Sequence, residues 1–306
     1  MNPDVTAPRP GPSPAQAARA AAALLVVGTG WGAATVAVKV AVSTGHDVGG
    51  LMFWHFALFC LFLGAAQAIR RRPMPLHPRA LGFYVGVAAL GNFLPALSEF
   101  HGARHLPAGV LGLVVAMTPI FALLLALLFR VERPELRRLA GVGLGALAIV
   151  LLLGPEAALP DPDAWPWVVV LLATPICYAA EGLFVALLMP RDMDPVSALL
   201  GASLCGLAVL APWVALTPGA WVPLPGPFGP AEQAMVAGAA LSCLCYLGYL
   251  RMNRAFGPVY ASLISYLVTL SAVLWSVVLL GERHSGWLWA ALAAMIAGMA
   301  LVQPRR

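Results

Sequence analysis

Ten apolar runs, each about as long as a bilayer is thick when coiled into a helix, take up nearly the whole chain. They fall at about 20–42, 50–69, 80–100, 108–129, 138–154, 165–189, 195–216, 232–250, 258–280 and 286–302, bounded by Arg, Pro and Gly. A helix rises ~1.5 Å per residue, so about 20 apolar residues cross a hydrocarbon core of ~30 Å. In hydrocarbon every backbone polar group needs a partner within the protein, and runs this continuous satisfy that as helices. The composition agrees: 61% hydrophobic and 10% charged, with a mean hydropathy of +0.86, where a soluble chain carries about 25% charged residues. At roughly 30 residues per helix and connection, 306 residues leave no room for a soluble catalytic domain. The expected fold is an all-α membrane protein with ten transmembrane helices.

The basic residues set the expected orientation. With the amino terminus inside, fifteen of the eighteen fall in cytoplasmic segments: Arg9 and Arg19; Arg70, Arg71, Arg72 and Arg79; Arg130, Arg133, Arg137 and Arg138; Arg191; Arg251 and Arg254; Arg305 and Arg306. Only Arg104 and Arg283 fall outside, and Lys39, the sole lysine, lies within a span. By the positive-inside rule this places both termini in the cytoplasm. The basic face then meets anionic headgroups, and no nucleic-acid partner is implied by the net charge of +5. The outer connections carry acids or aromatics instead: Glu156, Asp161 and Asp163 in 155–164, Trp221 and Phe228 in the Pro/Gly-rich 217–231. Residues 1–19 are Pro-rich and lack the apolar stretch and cleavage site of a signal peptide, so they read as a disordered cytoplasmic tail. Cys60, Cys177, Cys205, Cys243 and Cys245 all lie inside apolar runs and imply no disulfide framework.

The chain also repeats itself. Residues 113–132 (LVVAMTPIFALLLALLFRVE) align without a gap on 263–282 (LISYLVTLSAVLWSVVLLGE), setting Glu132 on Glu282 and, upstream, Arg104 on Arg254. The halves run 20–154 and 165–302. Five spans per half is an odd number, so the second copy crosses the membrane upside-down relative to the first. Inverted repeats of this kind give transporters two exchangeable conformations, with the site near midplane between the halves.

Trp31-Gly32 followed by Lys39 in span one, Pro119 thirteen residues before Glu132, and Gly281-Glu282 closing span nine resemble the drug/metabolite transporter superfamily, EamA type. The resemblance covers about 20–302. It implies a multi-pass protein of a bacterial inner membrane that exports or exchanges small metabolites such as amino acids, often linked to protons. The implied cavity is lined mainly by spans one, three, four, six, eight and nine. Three features depart from the family pattern: His55 where Arg is frequent in span two, Thr269 where Pro is frequent in span nine, and Arg130-Val131-Glu132 in place of Leu-Gly-Glu.

A charge at the bilayer centre costs at least about 2.5–3.5 kcal/mol on insertion scales, so a retained one points to function. Glu181 lies too deep in span six to reach water along its helix, and is the candidate for coupling to protons or holding a substrate amine; the alternative is a protonated Glu bonded to a neighbouring helix. Lys39, near the outer end of span one, is either a substrate-carboxylate or relay partner or an interfacial anchor that snorkels. His55, beside Phe53 and Trp54, is a substrate-binding candidate or part of the aromatic belt. Glu99, His101, Arg104 and His105 cluster where span three meets the outer surface, as a gate or as solvated surface. Asn92 either bridges helices or contacts substrate.

Trp31 and Tyr178 each stand near the middle of the first span of their half. Tyr246, Tyr249, Ser265, Tyr266 and Thr269 add an amphipathic set in spans eight and nine, the kind of lining a cavity for partly apolar solutes uses. Pro119 and Pro175 interrupt spans four and six and mark either plain kinks or gating bends; Thr118 and Thr174 before them are placed to satisfy the freed carbonyls. The Gly28/Gly32, Gly82/Gly86 and Gly141/Gly145 pairs allow close helix approach and say nothing of oligomeric state.

No phosphate-binding loop with Lys, no His-Glu-x-x-His and no Gly-x-Ser-x-Gly occurs, so neither ATP, a metal, another cofactor nor hydrolase chemistry is implied. The reading that follows is a secondary transporter for amino-acid-like or amphipathic solutes. The alternatives are a membrane-embedded enzyme or lipid-handling protein using Glu181 and His55 as acid and base, which needs the two within reach of one substrate, and a non-transporting scaffold, which needs a sealed core.

Overall fold

A computed structural model describes residues 14–130, 135–153, 159, 161–218, 220–221, 228–256 and 264–302. The helices are α1 (Pro14–Val42), α2 (Val48–Arg70), α3 (Pro78–Val87), α4 (Leu94–His105), α5 (Ala108–Val115), α6 (Thr118–Leu128), α7 (Leu136–Leu153), α8 (Trp165–Leu171), α9 (Ala173–Leu188), α10 (Pro195–Leu216), α11 (Pro230–Phe256), α12 (Ile264–Leu280) and α13 (Gly286–Val302). A π-helical turn, Ala88–Phe93, joins α3 to α4 in one continuous rod. Similarly α5 runs into α6 and α8 into α9. No strand occurs among the described residues. Among the described residues, seven rods are long and apolar enough to cross a membrane, and α12 and α13 are shorter apolar helices. Residues 14–19 of the expected disordered tail are helical and open α1, where the Ala-rich stretch continues the apolar run, whereas residues 1–13, Glu132 and Glu156 lie outside the described residues.

Local sequence explains where the rods start and stop. Asp47, His77 and Asp194 are N-caps whose side chains accept from the first free amides of α2, α3 and α10, with Pro78 and Pro195 at the first helical position, where a missing N–H costs nothing. Gly281, at φ +66°, turns the chain out of α12 in the left-handed region that side chains with a Cβ avoid. The breaks within rods fall near prolines. Ahead of Pro119, the carbonyl of Val115 loses its N–H partner and Thr118 Oγ1 takes it at 2.7 Å. Thr174 does otherwise: its hydroxyl bonds Ser98 (2.5 Å) and the Pro95 carbonyl (3.2 Å) on α4, tying two rods together instead of mending its own.

Helices at matching places in the two halves pack antiparallel. Gly112 of α5 lies on Ala272 and Gly109 near Ser276, so α5 runs antiparallel to its repeat counterpart α12. Arg138 donates to the Val302 carbonyl (2.8 Å) and Gly141 abuts Gly298, so α7 and α13 are antiparallel too. Gly49 meets Trp213, Gly206 meets Phe56 and Gln67 bonds Ser197 (2.9 Å), which makes α2 and α10 a third antiparallel pair. Neighbour relations are preserved when the halves are exchanged: α1 packs along α11 and α12, and its counterpart rod α8–α9 packs along α3–α4 and α5–α6.

Glycine makes the tightest seams. Gly28 and Gly32 bring α1 onto Leu267, Ser271 and Ala272 of α12, where Ser271 and Trp275 donate to the Gly28 and Thr29 carbonyls at 3.1 and 3.0 Å. Between helices in hydrocarbon, close packing and such bonds replace the hydrophobic drive, each bond averaging about 0.6 kcal/mol. Gly82 stands apart from this role, with nothing within 4 Å of where a Cβ would sit. Large aliphatic side chains such as Ile69, Val26 and Leu216 point outward, as a lipid solvent permits.

Candidate functional site

The π turn at 88–93 is where the site begins. Pro95 brings no N–H to the helix, and just before it the Leu94 amide reaches back five residues to the Ala89 carbonyl. The turn presents Gly91 to α9, and the Glu181 carboxyl lies directly against it; a Cβ at 91 would occupy the space the carboxyl fills. Glu181 is seven residues from the end of α9, roughly 10 Å of helix.

Around it gather groups from four rods. Tyr178, one turn away on the same face of α9, lies within electrostatic reach of both Glu181 and Glu99. Tyr246 of α11 is within reach of Glu181 and Tyr249, with Tyr246 and Tyr249 ring centroids 6.5 Å apart. Trp31 of α1 meets Tyr249 edge-on at 6.2 Å. Because α4 runs antiparallel to α9 (Ser98 at Thr174, Gly91 at Glu181), Glu99 sits eight residues, or roughly 12 Å, from the Glu181 level, with Tyr178 between. Neither carboxyl is hydrogen-bonded to a described residue, and both keep partial accessibility, as do Tyr178, Tyr246 and Trp31. Two acids, three phenols and an indole therefore form one partly accessible cluster across α1, α4, α9 and α11.

The structure places the other expected residues elsewhere. Asn92 turns away from the cluster and donates to Ser203 Oγ (3.1 Å), bridging to α10. His55 is enclosed by aromatic rings, Phe59 at 4.6 Å, Phe100 at 5.6 Å and Phe56 at 5.9 Å, and no interaction joins it to Glu181 among the described residues. Tyr266 packs on the main core within electrostatic reach of Arg137. Glu99 separates from the histidines with which sequence grouped it: His105 stacks on Trp167 at 3.9 Å and His101 lies parallel to the same ring at 6.4 Å.

Lys39 belongs to a second constellation at the expected outer end. Its Nζ donates to the Ala103 carbonyl in the last turn of α4 (2.8 Å), within electrostatic reach of Glu282. Glu282 in turn accepts from the Ala108 and Gly109 amides (2.8 and 3.3 Å), capping α5 of the opposite half. His284 bonds Ser276 (2.7 Å) and stands 3.6 Å from Glu282. Burial holds the His284 pKa below its ordinary value, against the opposing pull of Glu282. The repeat marker Gly281-Glu282 is thus a latch between halves, whereas its partner Glu132 and the Arg254 side chain lie outside the described residues. Sequence reasoning missed Gly91, Pro95 and Trp167. A glycine and a proline four residues apart inside an apolar run were the available signal for the first two.

The model of the EamA-like transporter family matches residues 18–154 and again 165–303. The chain belongs to the EamA-like transporter family. An EamA-like protein is a multi-pass membrane transporter of small solutes built from two repeats, with a small-molecule substrate and membrane lipid as its partners. One crystal structure, titled only "Crystal structure of protein", matches with 19% identity over 93% of this chain and 97% of its own, at a TM-score of 0.62, and shares its fold. No curated protein matches the chain in sequence.

Proposed function

We propose that this EamA-like protein crosses the membrane ten times with both termini in the cytoplasm and moves amino-acid-like or amphipathic solutes by alternating access between its inverted halves, driven by protons. The observation that carries the reading is the Glu181 carboxyl seated on Gly91, where the two halves meet, beside the partly accessible Tyr178 and Tyr246. A carboxylate at this depth is costly unless it is protonated or paired with a cation, so Glu181 is the coupling group or the partner of a substrate amine. Trp31, Tyr178 and Tyr246 shape the cavity for an apolar side chain. Glu99, on the far side of Tyr178, relays protons to the expected outer face and gates access to it. Bends at Pro119 and Pro175 let α5–α6 and α8–α9 move, and Lys39 with Glu282 closes the outer end. The aromatic enclosure of His55 leaves the acid–base pair of a membrane enzyme without its second member, and no observation favours that reading.

The test is Glu181→Gln in proteoliposomes, with uptake and efflux measured against a panel of amino acids and amphiphiles, with and without a pH gradient. The variant is expected to insert and fold but to lose pH-dependent transport. Unchanged flux and an unchanged pH profile would remove Glu181 from the mechanism.

A further inference from the structure

A cleft of about 840 Å³ opens at the expected cytoplasmic end between α3 and the connection from α9 to α10. Glu181 is not among the residues that line it. Phe184, one turn beyond Glu181, covers Gly86 and stacks on Phe83 at 5.4 Å, walling the cleft on the side toward Glu181. The cleft floor is apolar, from Phe83, Phe184 and Leu188, and its rim is basic, from Arg79 and Arg191. The rim's one acid is already taken: Asp192 pairs with His77 at 3.0 Å. Both guanidinium groups are exposed and have no carboxylate partner among the described residues. Gly82 leaves the wall open, with nothing within 4 Å of a Cβ built there.

Two features decide what fits. An apolar floor under two unpaired cations calls for an amphiphilic anion, and basic pockets between helices at the cytoplasmic face recognise anionic headgroups. The flanks also carry exposed aliphatic side chains suited to hydrocarbon: Leu81 and Val85 on α3 are 48% and 60% exposed, and Leu187 on α9 64%. An occupant held at the rim therefore has a path for a chain into the lipid.

We propose that this cleft binds an anionic membrane phospholipid, with Arg79 and Arg191 on the phosphate and an acyl chain leaving between α3 and α9 past Gly82. The readout is lipid retention, so the outcome is independent of whether Glu181 couples transport.

The purified full chain is exchanged into micelles holding equal phosphatidylglycerol and phosphatidylcholine, and co-purifying lipid is quantified by native mass spectrometry. The unmodified protein is expected to retain phosphatidylglycerol selectively. The Arg79→Gln/Arg191→Gln variant is expected to lose that selectivity about thirtyfold, each arginine contributing the roughly fivefold that a basic residue adds at an anionic surface. Arg71→Gln/Arg72→Gln, which removes two exposed charges outside the cleft, is expected to leave it unchanged. Gly82→Leu keeps both arginines and enters open space, so it is expected to fold as the parent does and to expel the lipid. Equal retention of the two lipids, or indifference to both cleft variants, overturns the proposal. So does complete displacement by millimolar inorganic phosphate with the same arginine dependence, which makes the cleft a site for a free anion.

Discussion

At position 91 a hydrogen in place of a methyl group decides where the Glu181 carboxyl sits. In Gly91→Ala the atoms that must move are the end of a flexible side chain, so the protein is expected to fold with stability within about 1 kcal/mol of the parent. Transport is expected to lose its pH dependence as in Glu181→Gln, although no ionisable group has been changed. Proteoliposome flux against pH checks this, beside a thermal unfolding scan. His284 makes a prediction of the opposite kind, about stability. Its folded-state pKa lies below the ordinary 6.5, so the unfolded chain binds the proton more readily. The stability it contributes is present above pH 6.5 and is lost as pH falls from there toward the lower folded value. Thermal unfolding in detergent, compared with His284→Gln between pH 7.5 and 5, is expected to show the parent losing more stability on acidification than the variant.

Elements meet in this molecule where side chains are small, and the cost of adding an atom depends on what it meets. A Cβ at Gly141 comes 2.7 Å from the Gly298 carbonyl oxygen, which is backbone and cannot yield without parting α7 from α13. Gly143, two residues along, has nothing within 4 Å. Gly141→Ala is expected to destabilise by about 1–3 kcal/mol, and Gly143→Ala to stabilise by up to about 1 kcal/mol through helix propensity. Unfolding temperatures of the two variants in the same detergent separate a tight seam from a tolerant face. The arginines that open α7 serve the same seam: Arg137 and Arg138 donate to the Ala300 and Val302 carbonyls (2.9 and 2.8 Å), which the end of α13 leaves without helical partners. At the end of α2, Arg70 and Ser197 bond Asp194; against the effect of burial they hold its carboxyl below the usual range, so that cap stays charged.

For the whole molecule, the main core mixes both halves, running from Val36 and Leu51 through Leu111 and Met117 to Leu288 and Val302. Neither half can close that core alone. Residues 1–156 produced without the remainder are expected to aggregate on extraction. Co-expression of 1–156 with 157–306 is expected to restore a complex that co-purifies and transports. Size-exclusion chromatography of the separate and combined halves is the measurement, and a monodisperse first half would contradict the mixed core.

Much of this was legible along the chain. Hydrophobic length gave the rods, because a bilayer imposes one thickness on all of them. The odd number of runs per repeat implied an inversion, and the α5/α12, α7/α13 and α2/α10 pairs pack antiparallel. Glu181 was legible because a carboxyl in the depth of an apolar run has no local reason to be there. What a side chain faces was not legible. Asn92 turned to Ser203, His55 to phenylalanines and Glu99 away from His105, since neighbours along a helix point to different rods and only packing assigns them. The π turn that delivers Gly91, and the joining of Lys39 and Glu282 at one end of the bundle, arise from contacts between residues far apart in the chain. The sequence by itself determined that the chain is built of apolar helices in two repeats, through the solvent they must satisfy; only the tertiary structure decided which of their polar groups lie together, because that depends on rotation and register between rods.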